Sequence, residues 1–415
     1  MLEFLFYDRM KVMQTIERQI KDAFIEASTQ FPVVLVTGAR QVGKTTLLKM
    51  LREADRRFVS LDDIDVRHLA ISDPKLFFQS YPPPLIIDEI QYAPNLLSQI
   101  KVIVDENRNQ SGLFWLTGSQ PFRLMRGVRE SLAGRVAILP MGGISQSEEL
   151  GRGCERFDIQ MASASSNCHD GVRQVYERIL RGAFPDLVSG RIRNLELYYR
   201  SYVQTYLERD IRDLMHVSDE SRFLDFLRVV AGRTGQLLNL SNMARDVGIS
   251  VVTAKNWLSL LETSGLVFLL HPFSRNVTAR IVKTPKLYFL DTGLACYLAG
   301  WKGVDALLNG AMAGAMLETF VVSEIIKRGW NCGEESQLWF YRDNAGTEID
   351  VLLERDGVLH PIEVKKTASP SSADCRSFAR VSAKGVSLGC GAVACLATES
   401  RPLTDSVMIL PIGGI

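Results

Sequence analysis

Val33-Val34-Leu35-Val36-Thr37-Gly38-Ala39-Arg40-Gln41-Val42-Gly43-Lys44-Thr45-Thr46 runs from an apolar, β-branched segment through a glycine-bounded loop into a lysine and two threonines. Residues 38–45 match G-x-x-x-x-G-K-[ST] in full, placed where the motif has physical meaning: after a buried-type strand and at the start of a helical stretch, Thr45 to Met50. Glycine lets the backbone N–H groups turn inward around phosphate oxygens, and the helix N-terminus adds its positive dipole end. Lys44 suits the β- and γ-phosphates, and the Thr45 hydroxyl suits a Mg²⁺ ion. The nucleotide-binding residues expected on this reading are Gly38, Ala39, Arg40, Gln41, Val42, Gly43, Lys44, Thr45 and Thr46.

Working outward, further short apolar runs repeat the pattern. Phe58-Val59-Ser60-Leu61 leads into the acidic stretch Asp62 to Asp65. Pro82-Pro83-Pro84 introduces Leu85-Ile86-Ile87-Asp88-Glu89, and Leu113-Phe114-Trp115-Leu116 makes a fourth strand. Helical periodicity fills residues 44–53 and 95–106, and residues 1–30 read as a helix with Met10, Met13, Ile16, Ile20, Phe24 and Ile25 on one face. Continuous apolar strands alternating with helices predict an α/β domain built on a parallel sheet covered on both faces. Asp88, on a strand expected beside the first, would reach the Mg²⁺ shell, and Glu89 would orient or deprotonate the attacking water. Leu116-Thr117-Gly118-Ser119-Gln120 ends the fourth strand with small polar groups that suit γ-phosphate sensing or, alternatively, the cap of the next helix. Arg123, Arg126, Arg129 and Arg135 follow, any one of which could serve as an arginine finger in cis or in trans. With no Asn-Lys-x-Asp guanine-reading motif, adenine is the expected base.

At 415 residues the chain calls for two to four domains, and 46% hydrophobic with 23% charged residues excludes long disorder. No apolar run approaches the ~18 residues of a membrane span, and the N-terminal stretch lacks a signal-peptide layout. Seven scattered cysteines without a CxxC pair fit reduced thiols. The expected setting is the cytoplasm, with no membrane contact. The net charge of +1 argues against a uniformly basic nucleic-acid coat. Residues 171–290, however, hold 17 lysines and arginines against 11 acids, a local surplus that keeps DNA among the partners.

Four segments follow: a P-loop domain over residues 1–145, a linker and helical region over 146–233, a helix-turn-helix unit over 234–300, and an α+β segment over 301–415. The linker is placed at Ser145 to Asp170, which is rich in small polar residues. In the helix-turn-helix, Ser241 is the expected first N-cap and Gly248 the turn residue. Ser250 then caps Val251 to Leu261, which buries Ala254, Trp257, Leu258 and Leu261. Thr253, Lys255, Asn256 and Ser259 face outward, and Leu266 to Leu270 would form a wing strand. The same unit could instead dock a protein or act as a hinge.

In the last segment, Thr347 to Leu353 and Val358 to Lys365 flank Asp356-Gly357, a preferred two-residue hairpin turn. That turn sets Asp350 opposite Glu363, with Cβ atoms about 4.5–5.5 Å apart, and Lys365 on the same face. Opposed carboxylates repel unless something positive lies between them, and a divalent cation is the obvious candidate. Glu318, on the helical stretch Ala315 to Lys327, could add a ligand. This Asp…Glu-x-Lys arrangement resembles the restriction-endonuclease-like fold of nucleases, with Ile349 where a proline often precedes the aspartate. A slipped register with a surface salt bridge, or the fold kept without cleavage, are the alternatives. The five histidines show no ligand spacing.

GARQVGKTTLL, LIIDEIQ, LTGSQ and SLAGRV together resemble the predicted AAA+-type P-loop ATPases of archaea and bacteria that carry a C-terminal region of undefined function. The likeness continues through YVQTYLERDIRDL, LDFLRVVAGRTGQLLNLSNMARDVGIS, TPKLYFLDTGLA and the final IEVKK, covering nearly the whole chain. It implies an ATP-binding core with Asp88-Glu89 as Walker B, Ser119 near a sensor position and Arg135 in a nucleotide-linked role. It also implies a winged helix and a nuclease-like C-terminal fold, and supplies no substrate. The expected protein is an Mg²⁺-dependent, ATP-hydrolysing enzyme whose nucleotide state controls a DNA-interacting C-terminal half. The alternatives are an ATP-gated nuclease using Asp350, Glu363 and Lys365, and a nucleotide-controlled adaptor for a protein partner. Whether the chain forms an oligomer stays open.

Overall fold

The computed structural model describes residues 16–118, 128, 131–164, 170–206, 220–274 and 284–415. The first sheet consists of β1 (Val33–Thr37), β2 (Arg57–Ser60), β3 (Leu85–Asp88), β4 (Phe114–Gly118) and β5 (Val136–Pro140), in the order β2-β3-β4-β1-β5. Every pair in it is parallel. β1, β3 and β4 are buried along their whole length because helices cover both faces. Alternate residues serve opposite cores: Val34, Val36, Ile86 and Trp115 enter one cluster, and Val33, Leu35, Ile87 and Leu116 the other. The helix after the glycine loop runs over Lys44–Leu51. The helix expected on residues 1–30 spans Ile20–Gln30 in the structure; Ile16 lies before it, and Met10 and Met13 fall outside the described residues.

Two sequence expectations change here. β3 is not the immediate neighbour of β1, because β4 lies between them. Each strand carries only its own hydrophobic run, and nothing in a run states which strand it will pair with. Residues 145–170 are also no loose tether throughout. Gln146–Glu149 is a helix with a Ser145/Glu148 capping box, and Ser145, Gln146, Ser147 and Glu148 are buried. Glu148 pairs with Arg18 at 2.9 Å, and the Gln146 amide donates to Glu324 Oε2 at 2.7 Å. Polar composition misled because these side chains are satisfied by partners more than a hundred residues away.

The middle of the chain brings a helix (Glu220–Ala231), β6 (Gln236–Leu237), two helices (Leu240–Val247 and Val251–Thr263), β7 (Val267–Leu270) and β8 (Lys286–Phe289). The strands form an antiparallel sheet in the order β6-β8-β7. Ala254, Trp257, Leu258 and Leu261 are buried, and Phe223 and Phe226 meet Trp257 edge-on. Gly248 sits at φ 72°, and the Ser250 hydroxyl accepts from the Thr253 amide. The first N-cap, however, is Asn239, whose side chain accepts from the Asn242 amide, so Ser241 lies inside the helix. Both residues are good caps, and the chain enters the helix two residues earlier than the hydroxyl spacing suggested.

The C-terminal part packs a long helix (Ala313–Asn331) on a mixed sheet of β9 (Leu338–Arg342), β10 (Glu348–Arg355), β11 (Val358–Lys365), β12 (Gly391–Cys395), β13 (Arg401–Thr404) and β14 (Val407–Pro411). The strand order is β13-β14-β12-β11-β10-β9. Asp356 at φ 49° and Gly357 at φ 76° make the expected turn, and the β10–β11 ladder runs from Arg355↔Val358 to Val351↔Ile362, the register that the turn demanded. None of the helices among the described residues is long and apolar enough to cross a membrane.

Candidate nucleotide site and C-terminal carboxylate cluster

The glycine loop closes over the C-terminal end of β1. Gly38 (φ 143°) and Gly43 (φ 97°) adopt conformations that favour glycine, and a Cβ on Gly38 would stand 2.1 Å from the Met141 carbonyl oxygen. Gln41 also takes a left-handed conformation, φ 62°. The Lys44 ammonium is buried and donates to the Gly38 and Ala39 carbonyls at 3.0 and 2.8 Å, spanning the cradle. Arg18 braces the loop from outside, donating to the Val42 carbonyl at 2.6 Å and the Gly142 carbonyl at 2.9 Å.

Thr45 and Asp88 come together as the sequence predicts, Thr45 Oγ1 donating to Asp88 Oδ1 at 2.7 Å. Because β4 separates β1 from β3, a residue of β4 enters the site. Thr117, fully buried, donates to Asp88 Oδ1 at 2.6 Å and accepts the Glu89 amide at 3.0 Å. Glu89 itself sits at φ 59°, a strained conformation for a side chain other than glycine, and its carboxylate accepts from Gln91 Nε2. Thr117 was visible in the sequence only as one member of a small polar strand end; its role needed the strand order.

Ser119, Arg123, Arg126 and Arg129 lie outside the described residues. Arg135 does not join the site in this chain. It precedes β5, its carbonyl accepts the Val33 amide at the start of β1, and its guanidinium is paired with Asp105 at 2.7 Å. That is the opposite end of the sheet from the glycine loop, roughly 16 Å away along a strand of this length. β5 is parallel to β1, so the residue that precedes it lies at the end where β1 begins, while the glycine loop lies at the end where β1 finishes.

Two residues of the middle region touch the loop. Tyr198 Oη donates to Gln41 Oε1 at 2.9 Å. A Cβ on Gly265, just past Val251–Thr263, would lie 3.4 Å from the Ala39 amide nitrogen, so that turn rests on the loop backbone. Beside Gly43 and Thr46 opens a cavity of about 250 Å³, lined largely by apolar groups from Ile16, Val42, Leu47, Met50, Ile144 and Pro185.

The C-terminal residues named from sequence also converge. Asp350 Oδ2 accepts the Val364 amide at 2.9 Å, and Glu363 Oε1 accepts the Ser377 hydroxyl at 2.7 Å. What stands between the two carboxylates is Lys365, its Nζ 3.8 Å from Asp350 and 2.7 Å from Glu363. Glu318 Oε1 accepts Tyr288 Oη at 2.6 Å and Lys286 Nζ at 3.0 Å. Lys286 and Tyr288 come from β8, and sequence reasoning did not foresee them because they lie about sixty residues before the hairpin. Burial and the neighbouring Asp350 charge push the Glu363 carboxyl up to about 8 and that of Glu318 up to about 7. Among the described residues, no group of three or more His, Cys, Asp or Glu side chains is arranged to hold a metal ion.

Comparison with known proteins agrees in part with this geometry. Residues 30–150 match the family described as AAA domain, residues 172–305 a domain of unknown function (DUF8612) and residues 313–415 another (DUF4143). Two curated relatives, Uncharacterized protein Rv2008c of Mycobacterium tuberculosis and Uncharacterized protein Mb2031c of Mycobacterium bovis, are each 28% identical over 384 residues, 92% of this chain and 80% of theirs. Among solved structures, the Walker-type ATPase PABY2304 of Pyrococcus abyssi is similar over 68% of this chain and 95% of its own, at 16% identity and a TM-score of 0.45. Residues 30–150 thus combine a match to the AAA domain with a parallel sheet, a complete glycine loop and Thr45 hydrogen-bonded to Asp88, the arrangement of a P-loop nucleotide-binding domain.

Proposed function

We propose that this protein is an Mg²⁺-dependent ATP-hydrolysing switch whose nucleotide state controls the position of a DNA-interacting C-terminal half. The observation that carries the reading is the contact of the Gly265 turn and Tyr198 with the same loop that cradles phosphate. A triphosphate entering the loop must draw Lys44 off the Gly38 and Ala39 carbonyls, and the loop cannot rearrange without shifting what rests on it. The apolar cavity beside Gly43 and Thr46 suits a purine ring, which favours ATP as the ligand.

The Thr45 hydroxyl and the Asp88 carboxylate are the hard oxygen donors that Mg²⁺ prefers, and their separation of 2.7 Å lets both face one ion. When bound, Mg²⁺ supplies charge neutralisation at the β- and γ-phosphates. Lys44 binds those phosphates, Thr117 holds the Asp88 oxygen in place, and Glu89 orients the attacking water and takes its proton. The strained Glu89 backbone is held by the Thr117 hydroxyl, which fixes where the carboxylate starts.

Two helices joined at Gly248 and followed by antiparallel strands support reading the middle unit as a winged helix that contacts DNA through the outward face of Val251–Thr263. Lys255, Asn256 and Ser259 are exposed there. Val251 and Val252 are exposed as well, at 47% and 70%, which favours protein docking as the second reading.

The test is ATP turnover with and without duplex DNA, beside Lys44→Ala and Glu89→Gln. The expected result is DNA-stimulated turnover that Lys44→Ala loses together with nucleotide binding. Glu89→Gln should retain ATP binding but hydrolyse it about 10²–10⁴-fold more slowly. Undiminished turnover by Lys44→Ala refutes the enzyme reading. Absence of DNA affinity at low salt refutes the DNA partner and leaves the docking reading.

A further inference from the structure

The carboxylates of the C-terminal cluster already own a cation. Lys286 projects from β8, a strand buried along its whole length, and its side chain is only 5% exposed. Its Nζ lies 3.0 Å from Glu318 Oε1, 2.7 Å from Glu348 Oε1 and 3.8 Å from Asp350 Oδ1. Lys365 meets the other face of the cluster, so each Asp350 oxygen faces an ammonium group. Further acceptor positions are taken by the protein: Asp350 Oδ2 takes the Val364 amide, Glu318 Oε1 takes Tyr288 Oη, and Glu363 Oε1 takes Ser377. Divalent cations of the Mg²⁺ and Ca²⁺ type need about six oxygens converging at ~2.0–2.6 Å. A buried ammonium among these carboxylates denies that convergence and repels the incoming charge. The residues therefore do not fit the metal that the nuclease-like resemblance implies.

We infer that the cluster takes the Lys286 ammonium in place of a divalent metal, and that it serves as an ionic clasp joining the three-stranded unit to the C-terminal sheet. Other contacts along the same seam agree. Thr234 and Thr319 hydroxyls meet at 2.9 Å in the interior, and the Thr234 hydroxyl also accepts the Phe289 amide. Beyond β7 the chain bonds to β9, with the Phe273 amide donating to the Phe340 carbonyl at 2.6 Å and the Phe340 amide to the His271 carbonyl at 3.1 Å. A clasp buried in this way moves as one body. Any displacement of the Gly265 turn at the nucleotide loop is carried into the C-terminal sheet instead of being absorbed between the two. The inference goes beyond the ATP reading and does not depend on it.

The experiment is Mn²⁺ binding to the full chain without nucleotide, followed by the loss of the free-ion electron paramagnetic resonance signal, with thermal melts alongside. Wild type and Asp350→Asn should bind the same amount of Mn²⁺, because the cluster contributes no site. Lys286→Met should melt several degrees lower and bind one further Mn²⁺ per chain, which raises its midpoint again; adding Asp350→Asn should remove that ion. Lys286→Arg keeps the charge and should bind no further ion. A Mn²⁺ that wild type holds and Asp350→Asn loses overturns the inference, and so does a Lys286→Met protein with an unchanged midpoint. If Lys286→Met fails to fold, the wild-type and Asp350→Asn comparison decides alone.

Discussion

Replacing Thr117 by valine removes one hydroxyl and leaves the side-chain shape in place. In the structure that hydroxyl, fully buried, donates to Asp88 Oδ1 at 2.6 Å and accepts the Glu89 amide at 3.0 Å. Loss of a hydrogen bond to a charged acceptor costs about 1.5–3 kcal/mol, and a buried amide left without its acceptor about 1–3 kcal/mol. Some of each is recovered by relaxation, so about 3 kcal/mol is the expected destabilisation. For a folding unit of this size that lowers the melting midpoint by about 6–12 °C. The effect on turnover should be larger than stability alone explains. Asp88 loses the partner that orients it toward Thr45, and Glu89 loses the anchor of its strained backbone, so ATP hydrolysis should fall about 10²-fold with nucleotide still bound. Thr117→Ser keeps the hydroxyl and should restore most of both. Calorimetry and a phosphate-release assay on the three proteins check this. A Thr117→Val protein that melts within a degree of wild type and turns over ATP normally would refute the argument that this hydroxyl organises the site.

Two further outcomes follow from positions already described. Gly38→Ala places a Cβ against the Met141 carbonyl at a left-handed φ, so the loop must open; binding of a fluorescent ATP analogue should be lost, while far-ultraviolet circular dichroism stays that of a folded chain. Burial and Asp350 raise the Glu363 carboxyl to about 8 from an ordinary value of 4.5, so the folded state keeps a proton that the unfolded state has already released. The stability this group contributes is complete below pH 4.5 and is lost as pH rises through about 8. Glu363→Gln cannot ionise, so its melting midpoint should gain steadily on wild type between those limits; parallel pH dependences would show that Glu363 ionises normally.

Much of this protein follows from rules that act over a few residues. The glycine loop, the strand before it and the helix after it are specified by Gly38, Gly43 and the β-branched run at 33–36, because positive φ and burial on two faces are local demands. The Asp356-Gly357 turn likewise sets the register of β10 and β11, since a two-residue loop allows one pairing. The buried and exposed faces of Val251–Thr263 were legible from its 3.6-residue period. Strand order was not legible, because parallel strands joined through helices carry no mark of their neighbours; so β4 entered between β1 and β3, and Thr117 with it. Arg135, which precedes β5, went to the end of the sheet away from the loop because β5 runs parallel to β1. The charges show the limit most clearly. The Asp350, Glu363 and Lys365 constellation was written in one hairpin, but its occupant was not. Lys286 reaches it from another sheet, and only the packing of β8 against the C-terminal helix and β10 brought that ammonium among the carboxylates. Local chemistry proposes ligands; the long-range fold decides which cation they meet.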